Sequence, residues 1–402
     1  MYEPLRRERV TPPGDLPVAG SNWSRMRLWA TAHAAIDFFQ GAVPAAIPYF
    51  VLDRHYSYLQ ASGLSMAATL GAAVPQPLFG LLVDRRDRPW CVYGGIALAA
   101  AAAAGAGVAT VYALTWVLLL VCGIGVAMFH PAAGRLARRS AGQSASAMSI
   151  FATGGNVGFV LAPALLTPVL AGTGLRGLVW FVIPAWLVAL VTWRAGPRVV
   201  ARHDHAAPAA PRVDRWRPFA WLVAVEVTRS IMFFGACTFI ELYWLRDLHA
   251  GKAAAGIALG CLLGGGVAGT MLGGRLADRV GMVRTVQLGA LACLPGLLLL
   301  RVGSHPFSGL IWAALAGLAL RIPFSVLVKL GQDYLPNRPG TASAVTLGLA
   351  VSAGGVTAPI LGALADAHGP ASVFTVLCAV PVVTLLLGTR LTEPHASAAH
   401  AE

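Results

Sequence analysis

The chain has 402 residues, of which 57% are hydrophobic and 12% charged. So apolar a composition excludes a water-soluble protein of this length, because the surplus must face lipid. The formal charge of +13 does not indicate a nucleic-acid partner, since the basic residues are spread through short loops rather than gathered in a patch.

A hydrocarbon core about 30 Å thick requires about 20 apolar residues in helical form, and twelve stretches meet that requirement. The backbone in lipid must satisfy its own hydrogen bonds, and no alternating barrel pattern is present, so the stretches are helices. Residues 1–25 form a polar arm, without the short apolar run and small-residue cleavage site of a signal peptide.

The first predicted span, 26–50, carries His33 and Asp37, four apart and on one helix face. The second, 57–83, ends on Gly80, Leu81, Leu82, Val83, Asp84, Arg85. Spans over 89–109 and 112–134 follow, the latter closing on His130 and Pro131. The fifth, 144–171, holds Gly154, Gly155, Asn156 and Gly158 ahead of Ala162 and Pro163, and the sixth covers 177–193. Small residues let helices approach and Pro bends them. Asn156 suits a hydrogen bond to substrate or to a neighbouring helix.

Residues 194–217 are the longest polar interruption and read as a solvated linker, in which His203, Asp204 and His205 are ordinary polar groups. The seventh span, 218–245, carries Glu226 and Arg229, three apart on one face. The eighth, 253–274, ends on Gly274, Arg275, Leu276, Ala277, Asp278, Arg279. Its Gly264, Gly266 and Gly269 follow no strand and do not bind a nucleotide. The rest run over 283–302, 307–332 with Arg321, 340–366 and 371–389, before a short tail at 390–402. The six cysteines lie in apolar runs without ligand spacing, so core packing is expected, with no metal site, disulfide or cofactor.

The N-terminal arm, alternate loops and C-terminus hold 22 of the 30 Lys and Arg, whereas the opposite loops hold only Arg54, Arg176, Arg246, Lys252 and Arg301. The positive-inside rule places the rich side, with both termini, in the cytoplasm.

The halves repeat. Gly80 to Arg85 corresponds to Gly274 to Arg279, His130–Pro131 to Ile322–Pro323, and Ala162–Pro163 to Ala358–Pro359, in the same order and at nearly one offset. Such duplication is expected of transporters with a midplane site between repeats. The expected organisation is a six-helix bundle over 26–193, a cytoplasmic linker over 194–217 and a second bundle over 218–389.

Four charged groups inside the spans, Asp37, Glu226, Arg229 and Arg321, would cost roughly 10 to 14 kcal/mol if left unpaired in lipid. They must pair or face a wet cavity. A carboxylate beside Arg suits either proton coupling or a structural ion pair, and Glu226 and Arg229 can pair with each other. His33 suits a proton shuttle or a hydrogen bond to a carbonyl. Gly80, Asp84, Arg85, Gly274, Asp278 and Arg279 suit gating contacts at helix ends, or ordinary loop charges.

The two Gly-x-x-x-Asp-Arg loops resemble the signature of the major facilitator superfamily over residues 25–390. That implies an all-α membrane protein of two six-helix bundles around a cavity lined by helices one, four, seven and ten. More narrowly, His33 and Asp37 ahead of Gly41, Pro44 and Pro48 resemble the fosmidomycin resistance branch, as do Phe129–His130–Pro131–Arg135, Gly154–Gly155–Asn156, and Gln332, Leu335, Pro336, Gly340, Thr341 and Ala342. Ala162 departs from the Gly that precedes Pro in the antiporter motif, and no Arg stands near Val121 in helix four.

The branch implies proton-driven export of small drugs across a bacterial inner membrane by a protein embedded in the bilayer. Asp37, His33 and Glu226 are then expected in proton coupling, and Arg229, Arg321, His130 and Asn156 around substrate, in a monomer. Proton symport of a small organic anion is the first alternative; a membrane receptor or scaffold, which would need no balanced buried charges, is another.

Overall fold

The computed structural model describes residues 23–86, 88–141, 145–195, 213–303, 305–338, 341–342, 345–346 and 350–394, with the backbone alone at 84, 145–149 and 350–351. His203, Asp204, His205 and Gly340 lie outside these residues, as does the Asp84 side chain. Among the described residues there are helices and no strands.

The N-terminal half contains α1 (Trp23–Arg54), α2 (Tyr58–Ala73), α3 (Gln76–Arg85), α4 (Trp90–Val108), α5 (Tyr112–Ala141), α6 (Ala145–Thr173), a 3-10 helix (Gly174–Phe181) and α7 (Val182–Ala195). The C-terminal half contains α8 (Trp216–Arg246), α9 (Lys252–Val280), α10 (Met282–Val302), α11 (Pro306–Arg321), α12 (Phe324–Tyr334), α13 (Ala350–His368), α14 (Pro370–Leu377) and α15 (Val380–Gly388).

Four predicted spans are interrupted. Prolines 75 and 323 start α3 and α12, so the second and tenth crossings each consist of two helices. Proline lacks the amide that continues the ladder and crowds the preceding turn. The sixth crossing opens on the 3-10 turn, and the twelfth breaks between α14 and α15. The 46-residue apolar stretch Ile150–Ala195 is two crossings. α6 runs alongside α1, with Gly154 at Ala30 and Gly158 at Ala34. The 3-10 helix and α7 run against α4: Gly107 meets Leu175 and Leu178 of the former, and the Trp186 indole of the latter donates to the Ala97 carbonyl at 3.1 Å. The chain therefore reverses at Gly174, whose φ of +64° lies in the left-handed region.

Packing repeats between the halves. α1 packs on α6 as α8 does on α13, α2 on α5 as α9 does on α11, and α4 on α5 as α10 does on α11. At the first of these interfaces a Cβ at Gly158 would run into the Ala34 carbonyl, and at its counterpart a Cβ at Gly354 into the Ser230 carbonyl. Close backbone approach fixes both pairs.

Across the halves, α2 meets α13, α6 meets α9 and α1 meets α8. The side-chain contacts of these pairs gather toward the Arg-poor face. There the Asp366 carboxylate, from α13, accepts from the first two amides of α2, Tyr58 N at 2.7 Å and Leu59 N at 3.0 Å. These amides lack helical partners and sit at the positive end of the helix dipole. A capping box between Ser57 and Gln60 completes that helix start. Arg246 donates to the Tyr58 hydroxyl at 3.1 Å, and Ser65 and Thr238 hydroxyls meet at 3.3 Å. On the Arg-rich face, a Cβ at Gly80 or Gly274 would meet nothing within 4 Å, and Leu78 and Leu81 are exposed. Among the described residues, the side-chain contacts between the halves lie toward the Arg-poor face.

Gly158→Ala is expected to lower the thermal unfolding midpoint in detergent, because overpacking against backbone costs about 1–3 kcal/mol, whereas Gly80→Ala leaves it unchanged. Equal midpoints for the two variants would contradict this packing.

Candidate functional site

In the N-terminal half, α1 presents His33 and Asp37, α5 adds His130, and α6 supplies a carbonyl and a gap. Asp37 Oδ2 lies 3.3 Å from His33 Nε2, and Oδ1 lies 3.2 Å from His130 Nε2, with no other donor reaching Oδ1 among the described residues. His33 Nδ1 is 2.8 Å from the Phe151 carbonyl and His130 Nδ1 is 3.0 Å from the Val126 carbonyl. His33 stacks on Phe151, with centroids 4.3 Å apart. A Cβ at Gly155 would stand 2.5 Å from Asp37 Oδ2 and 2.6 Å from His33 Nε2, so only glycine leaves room for the pair.

Carbonyl oxygens accept and never donate, so each Nδ1 carries its hydrogen, and each Nε2 offers Asp37 either a lone pair or a second proton. One shared proton bridges only one of the two Nε2–carboxylate contacts, and two protons bridge both. The cluster can therefore change charge in whole protons with little movement of its heavy atoms. The same three groups could ligate a transition-metal ion, their ligand atoms lying within 4.8 Å of one another, and the carbonyl-tethered imidazoles resemble metal-site second shells. Arg321, within electrostatic reach of Asp37, disfavours a dication there.

In the C-terminal half, Arg229 donates from Nε to Glu226 Oε2 at 2.8 Å and from Nη2 to Glu226 Oε1. The pair is almost fully buried, at 2% and 1% exposure. A two-point contact of this kind is the strong form of the Arg–carboxylate bond. It leaves Arg229 Nη1 buried with no partner among the described residues. Arg321, the last residue of α11, lies with its guanidinium carbon 4.0 Å from the Phe324 ring centroid and 5.0 Å from that of Phe233. Arg229 approaches the same Phe324 ring at 5.0 Å. Ring faces attract cations but do not neutralise them. Glu226 balances one of the two guanidinium groups, so this cluster carries one uncompensated positive charge among the described residues. Phe233 faces Phe159 of α6 at 6.5 Å, a ring contact across the halves.

The structure thus brings His33, Asp37 and His130 together, and separately Glu226, Arg229 and Arg321. His130 stands against Asp37, and the stripes of α1 and α8 do not pair directly. Asn156, half-buried beside Gly155, makes no hydrogen bond to another described residue. Arg85, Asp278 and Arg279 are exposed at the Arg-rich face. Sequence reasoning missed Glu241, an acid within α8 at 2% exposure, because it stands close to the predicted helix end. It also missed Asp366, at the predicted end of its span, whose partners lie more than 300 residues away in the chain.

The sequence pattern of the Major Facilitator Superfamily matches residues 29–347, with an overlapping second match over 222–402. YfnC, an uncharacterized MFS-type transporter of Bacillus subtilis strain 168, is 28% identical over 95% of each chain. The fosmidomycin resistance protein of Escherichia coli K12 is 25% identical over 88% of this chain and 89% of its own. Among solved structures, the nucleoside transporter NupG shares the fold at a TM-score of 0.72 and 13% identity, over 90% of this chain and 98% of that one. A bacterial homologue of the human lysosomal transporter Spinster, inward-facing and occupied, does so at 0.68 and 17%, over 91% and 93%.

Removing one member of the buried pair, as in Glu226→Gln, is expected to cost about 3–5 kcal/mol, whereas Glu226→Gln with Arg229→Met costs far less. Thermal melts of both single variants and the double variant close the cycle; additive losses would rule out the two-point contact.

Proposed function

The chain belongs to the major facilitator superfamily and is a multi-pass membrane transporter, and on that premise we propose that it exports a small, anion-bearing drug or metabolite of the fosmidomycin kind in exchange for protons. The observation that carries the reading is the uncompensated guanidinium charge at Arg321 and Arg229, set within electrostatic reach of a carboxylate held by two imidazoles. The anionic end of the substrate lies on Arg321 and the free Nη1 of Arg229, where charge-assisted bonds replace the ring contacts. A donor group at its other end bonds to Asp37. Asp37 accepts that bond only after its cluster has given up a proton, so substrate and proton exclude each other, as exchange requires.

Resistance to fosmidomycin, in the name of the Escherichia coli relative, supports outward transport. The positive-inside rule places the Arg-rich face in the cytoplasm of a bacterial inner membrane, the side from which an exporter loads. The bundles over 26–193 and 218–389 rock about the seam of α1, α6, α8 and α9, tethered by the linker. One charge crossing 100 mV supplies about 2.3 kcal/mol, enough for a gradient of about fifty-fold.

Arg321 also favours a second reading. A substrate with an anionic end and no donor would use Arg321 alone. Protonating the Asp37 cluster would then add positive charge within electrostatic reach of Arg321 and favour binding of anion and proton together, the basis of proton-coupled import.

Expressed in an efflux-deficient bacterium, the wild type is expected to raise fosmidomycin tolerance several-fold, and Asp37→Asn at equal membrane level to abolish the gain. Increased sensitivity with the wild type would instead establish import, and resistance kept by Asp37→Asn would remove Asp37 as the coupling group.

A further inference from the structure

Glu241 lies fifteen residues beyond Glu226 on α8, about 22 Å along the helix, and belongs to neither group above. It is 2% exposed, its Oε1 is shut off from solvent, and it has no hydrogen-bond or ion-pair partner among the described residues. An ionised carboxylate in such a place costs many kcal/mol, so the group is held as the neutral acid.

Its surroundings are the closed seam itself. Tyr49 of α1 stands within electrostatic reach of Glu241 and of Asp53, and its hydroxyl donates to the Thr167 carbonyl of α6 at 3.0 Å. Lys252 of α9 places its ammonium 5.1 Å from the centroid of the Tyr49 ring. Gly256 of α9 lies against the Thr167 side chain. Thr167 Oγ1 and Trp244 Nε1 are, like Glu241 Oε1, buried without a partner among the described residues. Arg246 and Asp247 follow at the end of α8, and no charged group of the other helices packed on α8 pairs with Glu241 among the described residues. One acid with no partner among the described residues thus sits on α8, beside Tyr49 of α1, in the seam that α6 and α9 complete.

We infer that Glu241 is a second proton-binding site, loaded when the Arg-poor face closes and emptied when it opens. Parting the seam admits water to the carboxyl and frees Lys252 from the Tyr49 ring, and both favour the ionised form. The closed state then binds one more proton than the open state. By linkage, the ratio of closed to open falls by about tenfold per pH unit, above the range where the hydrated carboxyl titrates and until the closed form itself loses its proton. Raising the pH opens this face and lowering it closes it. The inference rests on the alternating cycle proposed above but not on Asp37 as its coupling group.

The test uses the full chain, cysteine-free, in lipid nanodiscs, with spin labels at Val111→Cys and Phe307→Cys, exposed positions at the Arg-poor ends of α5 and α11. Distance distributions across a pH series are expected to shift from short to long in the wild type. Glu241→Gln is expected to stay short throughout, and Asp37→Asn to keep the shift. Infrared difference spectra should show a carboxylic-acid carbonyl band that Glu241→Gln removes and Asp37→Asn retains. If Glu241→Gln keeps both the band and the full pH-dependent shift, the inference is overturned. Loss of drug transport in Asp37→Asn with the shift intact bears only on the first proton site.

Discussion

An ionised side chain in a lipid-embedded helix must find an opposite charge or a wet surface, and that constraint organises this molecule. Glu226 and Arg229 meet it with a two-point bond inside one helix. Asp37 meets it by drawing on two imidazoles from two helices. Arg321, half-buried, meets it with aromatic faces.

The duplicated halves share a scaffold but not a chemistry. Helix pairs correspond one to one, down to the glycines that let backbones touch at α1–α6 and α8–α13. Onto this frame the first half places groups able to gain and lose protons, His33, Asp37 and His130, and the second places guanidinium groups that stay charged. A proton-responsive surface thus faces a permanent one, and motion of one half against the other changes how strongly they feel each other.

The scaffold was largely legible in the sequence, because a span of about 20 apolar residues has few alternatives. The breaks at Pro75 and Pro323 were not, since Pro44 and Pro48 sit inside an unbroken α1, and local sequence does not separate a tolerated proline from a disruptive one. His33 with Asp37, and Glu226 with Arg229, were legible because helix periodicity sets neighbours three and four apart. The approach of His130 to Asp37, across 93 positions of chain, depends on how α5 packs on α1. Asp366 and Glu241 were obscured by a different ambiguity: near a helix end an acid reads as a solvated group, and only the facing half of the protein shows otherwise.

Arg321 is the last residue of α11, and the chain breaks at Ile322–Pro323 before resuming at Phe324, whose ring lies under its guanidinium. The cation and the platform it rests on therefore sit on opposite sides of a joint in the same crossing. Were a ligand to lift the guanidinium off the ring, the clasp across that joint would loosen, and occupancy would act as a bending torque at the point of contact, with no relay along the helix.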